Sequence, residues 1–251
     1  MINCQNTLPE CVLAERLTSR LLACYHTSMI RAMAKNLINL VYPIHCAVCN
    51  KALGVYEHPG VCPECRSKIR PNPKPSPERK SEKLHFDKAY SAYLYEDSLK
   101  ELIHMFKYNK RISLAKMLSG LMSDFIKNNR EVSDGIDAIT FVPLANGRLR
   151  ERGFNQSKML AGEIAKDTGI PILDLLEKTS STKPQNELTR DERFSNLKDV
   201  FKTRRNAEIK NLRILLIDDV MTTGATFSEC AKALISSGAK EVTCLALARG
   251  L

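Results

Sequence analysis

Four cysteines in two Cys-x-x-Cys pairs, Cys46 with Cys49 and Cys62 with Cys65, are the first residues whose type and spacing imply chemistry. Two intervening residues let both sulfurs of one turn point the same way. The twelve residues between the pairs let the chain fold back and bring four thiolates around one tetrahedral ion. A soft thiolate set selects Zn2+ over hard cations, and four protein ligands leave no open position, so the expected role is structural. His45 and His58 flank the pairs as alternative ligands or as ordinary hydrogen-bonded histidines. A metal-free loop is the weaker reading, because so small a segment has no core of its own to fold around.

The second informative stretch is LLIDDVMTTGATF, Leu215 to Phe227. It joins a continuous apolar run, two adjacent acids, a turn of small residues and the start of an amphipathic helix. At the carboxyl end of a strand in an open α/β sheet, such a turn lies where ligands bind. Thr222, Thr223, Gly224, Ala225 and Thr226 can offer hydroxyls and successive backbone N–H groups to a phosphate, and the helix that follows points its positive end there. Asp218 and Asp219 repel a phosphate but suit vicinal hydroxyls, so the string points to a ribose with its 5-phosphate in the turn. Two helix-start acids before an ordinary capping turn is the competing reading.

The elements that must position these groups follow from periodicity. Leu99, Leu102, Ile103 and Phe106 recur at helical spacing, and Leu114, Met117, Leu118, Leu121, Met122 and Phe125 continue on a second helical face. Ala138 to Val142 reads as a strand and Phe154 to Thr168 as a helix closed by Gly169 and Pro171. Ile214 to Ile217 reads as a strand buried on both faces, as parallel strands are. A helical stripe through Phe227, Cys230, Ala231, Leu234 and Ile235 then ends near Gly238, and Val242 to Leu247 forms the last strand. Cys230 and Cys244 fall on apolar faces and read as core residues. Strand, helix, strand in that order predicts an α/β fold with an open, mainly parallel sheet and a small N-terminal zinc-binding unit.

Four segments result: 1–32 as a poorly ordered extension, 33–70 as the Cys4 unit, 71–83 as a proline-rich linker, and 84–251 as the α/β domain. Cys4, Cys11 and Cys24 in the extension have no ligand spacing, and Met29 or Met33 is an alternative start. The linker PNPKPSPERKSEK is too polar to bury a core.

The chain has 251 residues, and its 38 Lys and Arg exceed its 28 acids for a formal charge of +10. That excess points to a polyanionic partner, or simply to a basic surface. No apolar run approaches the ~18 to 20 residues of a spanning helix, and no secretory signal pattern opens the chain. Nine cysteines without such a signal favour metal over disulfides, so the expected compartment is the reducing cytoplasm.

Leu215 to Phe227 closely resembles the signature of type I phosphoribosyltransferases. In that family the paired acids hold the ribose 2- and 3-hydroxyls and the Thr/Gly-rich turn wraps the 5-phosphate. LIHMFKYNKRISLA at Leu102 to Ala115, RLRERGFNQSKMLA at Arg148 to Ala161 and KPQNELTRDERFSNL at Lys183 to Leu197 narrow the resemblance to the ComF (competence protein F) family over about residues 33–249. The resemblance implies phosphoribosyl pyrophosphate or a related sugar phosphate as ligand, with Mg2+. It makes Lys107, Arg148, Arg150 and Arg152 candidates for the pyrophosphate or DNA side. Lys183, Gln185, Arg190 and Arg193 then resemble a mobile loop that closes over the ligand. Ala145-Asn146-Gly147 departs from the family pattern at the pyrophosphate loop.

By the same resemblance the protein serves natural competence, handling internalised single-stranded DNA alongside DNA-uptake partners. The alternative is an active transferase moving ribose 5-phosphate to a nitrogen acceptor, although the sequence ends at Leu251 without a segment to form a base-selecting hood. Phe86, Tyr90, Tyr93, Tyr95, Phe106 and Tyr108, interleaved with Lys83, Lys88, Lys107, Lys110 and Arg111, read either as a stacking surface for bases or as ordinary core residues.

Overall fold

The computed structural model describes residues 45–53, 60–73, 78–81, 84–179, 197 and 199–250. Its main sheet has the order β1-β2-β7-β6-β3, formed by Glu78–Ser81, Leu84–Leu94, Glu241–Arg249, Arg213–Met221 and Ala138–Phe141. β1 is antiparallel to β2, whereas β2, β7, β6 and β3 run parallel. Ile214 to Ile217 are all fully buried because alternate side chains serve opposite faces. Leu215 and Ile217 join one apolar cluster, and Ile214 and Leu216 join the other.

The first face is covered by α2 (Asp97–Tyr108), α3 (Leu114–Asn128) and α5 (Gln156–Thr168). The second is covered by α6 (Ala225–Ser236) and a small antiparallel hairpin of β4 (Leu176–Lys178) and β5 (Phe201–Thr203). α4 (Asn146–Arg152) follows β3 at the carboxyl end of the sheet. The Asn155 side chain accepts the Lys158 N–H to start α5, and Gly169 in the left-handed region ends it. The sequence-based boundaries for these helices and strands hold to within a few residues.

The cysteine unit, with its short helix α1 (Pro63–Ser67), is not a separate body. Cys46, Leu53, Val61, Cys65 and Ile69 belong to the same buried cluster as Leu114 and Leu118. Gly60 is needed at this contact: its φ is +111°, and a β-carbon there would lie 3.0 Å from Leu114 Cδ2. The chain then runs onto β2, where the Leu94 N–H donates to Arg70 O and the Asn72 N–H donates to Ala92 O, both at 3.0 Å.

The stretch 71–83, expected as a linker, therefore differs in part from expectation. Pro71 bridges to Tyr93, and residues 78–81 form β1. The long β2 offers an otherwise unpaired edge, and an edge position tolerates a proline-rich approach. The opposite margin is covered as well: the Ile139 N–H of β3 donates to Pro171 O and the Leu173 N–H donates to Ile139 O, each at 2.8 Å.

Candidate functional site

The four cysteine sulfurs lie within 4.8 Å of one another, and Cys49 Sγ is 3.6 Å from Cys62 Sγ. A tetrahedral Zn2+ with Zn–S of ~2.3 Å spaces its sulfurs by about 3.8 Å, so the donor set fits the ion. The Cys62 N–H donates to Cys46 Sγ at 3.3 Å and the Cys65 N–H to Cys62 Sγ at 3.4 Å. Burial acts to raise the Cys46 thiol, but N–H groups from Cys49, Cys62 and Val48 outweigh it and bring it to about 6, favouring the thiolate a metal requires.

A larger cavity, about 490 Å3, opens at the carboxyl ends of β3 and β6. Its floor is polar. Asp218 Oδ1 accepts the Ser157 hydroxyl at 2.7 Å and the Asp219 N–H at 2.8 Å. Asp219 Oδ2 instead meets Lys107 Nζ at 2.8 Å, in a pair whose side chains are only 10% and 18% exposed. Burial opposes the Lys107 charge, but the Asp219 carboxylate more than compensates and holds the ammonium above its usual pKa. Asp218 behaves in the opposite way. Burial, and then the neighbouring Asp219 charge, push it up to about 7 despite the Ser157 and Lys107 contacts.

The wall carries cations. Arg148, Arg152 and Lys178 line the cavity with the Asp218 and Asp219 floor. Burial, reinforced by Arg148, lowers Lys178 to about 8. Arg152 is fixed by neighbours: Nη1 donates to Gln156 Oε1 at 3.1 Å, Nη2 donates to the Tyr108 hydroxyl at 3.3 Å, and the guanidinium sits 4.9 Å from the Tyr108 ring centre. A contiguous recess is formed by Met221 to Phe227 with Asp218 and Val220. There Gly224 has φ +77°, turning the chain so that α6 begins directly from the turn.

Known proteins share this arrangement. A family model described as "Phosphoribosyl transferase domain" matches residues 155–251, and one described as "Double zinc ribbon domain" matches residues 37–86. "DNA utilization protein YhgH" of Salmonella typhimurium is 30% identical over 210 residues, covering 82% of this chain and 90% of that protein. This chain belongs to the ComF family. "Competence protein ComFC" of Bacillus subtilis is 29% identical over 77% of this chain and 72% of its own length. "Competence protein F" of Haemophilus influenzae is 27% identical over 81% and 90%. The zinc ribbon match and the thiolate cluster agree on a structural zinc site in this ComF-family chain.

Most residues singled out in the sequence converge here. Asp218, Asp219, Thr222, Thr226, Lys107, Arg148 and Arg152 line the cavity, and Thr223, Gly224 and Ala225 line the recess. Arg150 is the exception. The basic segment is helical rather than extended, so Arg148 and Arg152, four apart, share a face while Arg150 is exposed and does not line the cavity. Lys107 is not a free cation, since Asp219 holds it. Lys183, Gln185, Arg190 and Arg193 lie outside the described residues.

The base-stacking reading also narrows. Phe86, Tyr90 and Phe106 are at most 1% exposed and belong to the core, whereas Tyr108 is 53% exposed beside the cavity and packs 4.8 Å from the His104 ring. Sequence reasoning missed Gln156, Ser157 and Lys178 as wall and floor residues. The cue for the first two was present: they are the first residues of a helix capped by Asn155 and follow the arginine-rich segment. Lys178 gave no cue, because nothing local places the base of a short hairpin against β6.

Asp218 also makes stability depend on pH. Its folded pKa of about 7 lies above the ordinary 3.8, so the associated stability is complete below about pH 4 and is lost as pH rises through 7. Asp218→Asn retains an Oδ1 acceptor for Ser157 and Asp219 but has no charge to bury. Denaturant titrations at pH 5 and pH 8 are expected to show the wild type losing on the order of 2 kcal/mol relative to Asp218→Asn over that range. Parallel behaviour of the two proteins would remove Asp218 as the titrating group.

Proposed function

We propose that the cavity binds a ribose phosphate, with phosphoribosyl pyrophosphate and Mg2+ as its fullest ligand. In this reading the protein acts in the cytoplasm on single-stranded DNA taken up during natural competence. The observation that carries it is the continuity of Asp218, Asp219 and the Thr222–Thr226 turn, with a helix start behind the turn and cations on the facing groups. A phosphate suits the turn and the positive end of α6. With Asp218 Oδ1 occupied by Ser157 and Asp219, its Oδ2 is left for a ribose hydroxyl or a water on Mg2+. Arg148 and Lys178 then offset the charge of a diphosphate.

The names of the relatives, a DNA utilization protein and two competence proteins, support the DNA side of the reading. So does the formal charge of +10. The transferase reading is favoured by the phosphoribosyl transferase family match, which spans the acidic pair and the turn. In such an enzyme the bond from C1 to pyrophosphate would loosen to an oxocarbenium-like state before a nitrogen attacks, and fixed dipoles would stabilise the charge that develops.

Calorimetry with phosphoribosyl pyrophosphate and Mg2+ tests the pocket. Binding is expected in the wild type, with Asp218→Ala weaker by about ten- to a hundred-fold, the equivalent of ~1.5 to 3 kcal/mol for a charge-assisted hydrogen bond. Equal affinities would reject the assignment. Single-stranded DNA titrated across salt separates the two functions. A strand reader shows log affinity falling by roughly 0.7 per phosphate contacted, with a shallower slope in Arg148→Ala/Arg150→Ala. A transferase shows little DNA binding and steady pyrophosphate release with one particular acceptor.

A further inference from the structure

Two helices begin at this cavity, and only one of them follows the Thr222–Thr226 turn. The other is α5, whose first two residues, Gln156 and Ser157, line the cavity. Asn155 caps the N–H of Lys158, and the N–H groups of Gln156 and Ser157 precede any intrahelical acceptor.

The side chains around this helix start carry donors without acceptors. Gln156 is only 2% exposed. Its Oε1 is taken by Arg152 Nη1, which sets the amide orientation, and Nε2 is buried without a hydrogen-bond partner. Arg152 repeats the pattern. Its two terminal nitrogens are engaged by Gln156 and Tyr108, while Nε is buried with no acceptor. Leaving a buried donor unpaired costs about 1–3 kcal/mol, so two at one place, both on residues lining a cavity, mark where an outside acceptor fits.

We propose that the start of α5, with Gln156 Nε2 and Arg152 Nε, is a second oxyanion subsite that takes a phosphate group and is separate from the Thr222–Thr226 turn. Charge selects an anion over a neutral acceptor, because Lys107, Arg148, Arg152 and Lys178 line the cavity against only Asp218 and Asp219. The helix dipole adds to this, as α5 runs for 13 residues. Phosphate is favoured because its several oxygens can accept from side-chain and backbone donors together. The inference deepens the ribose-phosphate reading: a ligand whose first phosphate fills the turn presents its second one here. That second group is either the diphosphate of a sugar diphosphate or the next phosphate of a nucleotide strand.

The test is calorimetry on the full chain with inorganic pyrophosphate, ribose 5-phosphate and a 5′-phosphorylated thymidine dinucleotide, each added alone. Gln156→Glu keeps the acceptor toward Arg152 and replaces the free donor with an oxyanion. Arg152→Lys keeps the charge and removes Nε. Each variant is expected to weaken pyrophosphate at least about ten-fold while ribose 5-phosphate changes by less than about two-fold, with melting temperatures close to wild type. A matching loss for the dinucleotide assigns the second phosphate to a strand, and a loss for pyrophosphate alone assigns it to a sugar diphosphate.

Pyrophosphate affinity that is undetectable in the wild type, or equal in the wild type and both variants, would overturn the proposal and leave the two donors to water. Equal weakening of both ligands together with a lower melting temperature would also overturn it, as a structural role. If wild type fails to bind ribose 5-phosphate yet binds pyrophosphate through Gln156, the ribose-phosphate reading falls and the subsite stands.

Discussion

Cys65→Ser is expected to abolish zinc binding and to destabilise more than the cysteine unit itself. Elemental analysis should give one Zn2+ per wild-type chain and close to none in the variant. A structural zinc contributes on the order of 10 kcal/mol to small units that fold around it, so the lost free energy is large against ordinary domain stability. From sequence, unfolding would stop near residue 70. The shared cluster changes that expectation, because Leu53, Val61 and Ile69 pack with Leu114 and Leu118 on α3. Hydrogen exchange should therefore quicken both in 60–73 and along the start of α3. Protection of α3 that is unchanged in the zinc-free variant would mean that the contact is adjacent but not coupled.

Asp219→Ala is expected to cost about 3 kcal/mol or more in urea unfolding at neutral pH. The substitution strands the Lys107 ammonium, whose side chain is only 18% exposed, beside an apolar replacement. Lys107→Met should be costly as well, since it leaves the Asp219 carboxylate without its partner. Combining the two removes both charges and is expected to restore much of the loss, giving a coupling energy well above that of a surface ion pair. Additive single and double effects would show that the pair contributes nothing beyond its separate residues. Asp219 is consequently a poor reporter of ligand contact by itself, and Asp218→Asn, which keeps its hydrogen bonds, is the cleaner probe.

The parts legible in the sequence were those with a strong local period or a short-range pattern. Ile214 to Ile217 announced a doubly buried strand, and the Cys-x-x-Cys spacing announced the metal unit before any contact was known. The acidic pair and its turn were equally plain because strand, acids, turn and helix are consecutive. What stayed hidden depends on long-range placement. Lys107 and Asp219 are far apart in sequence, and only the packing of α2 brings them to 2.8 Å. Ser157 reaches Asp218 across 61 residues for the same kind of reason. Proline and charge in 71–83 made that stretch look free of the domain, because pairing to an edge strand leaves no hydrophobic period to read.

The two covered margins of the sheet limit how this molecule can meet others. On one side lies the four-residue strand Glu78–Ser81, and on the other the 171–173 segment takes up the hydrogen bonds of Ile139. A partner peptide cannot extend the ladder at Ile139 without displacing that segment, and a short charged outer strand is a poor template for strand addition. Association by strand exchange or by end-to-end growth of sheets is thereby discouraged. Recognition is left to side chains on the helices and at the carboxyl ends of the strands, the end at which the cavity opens.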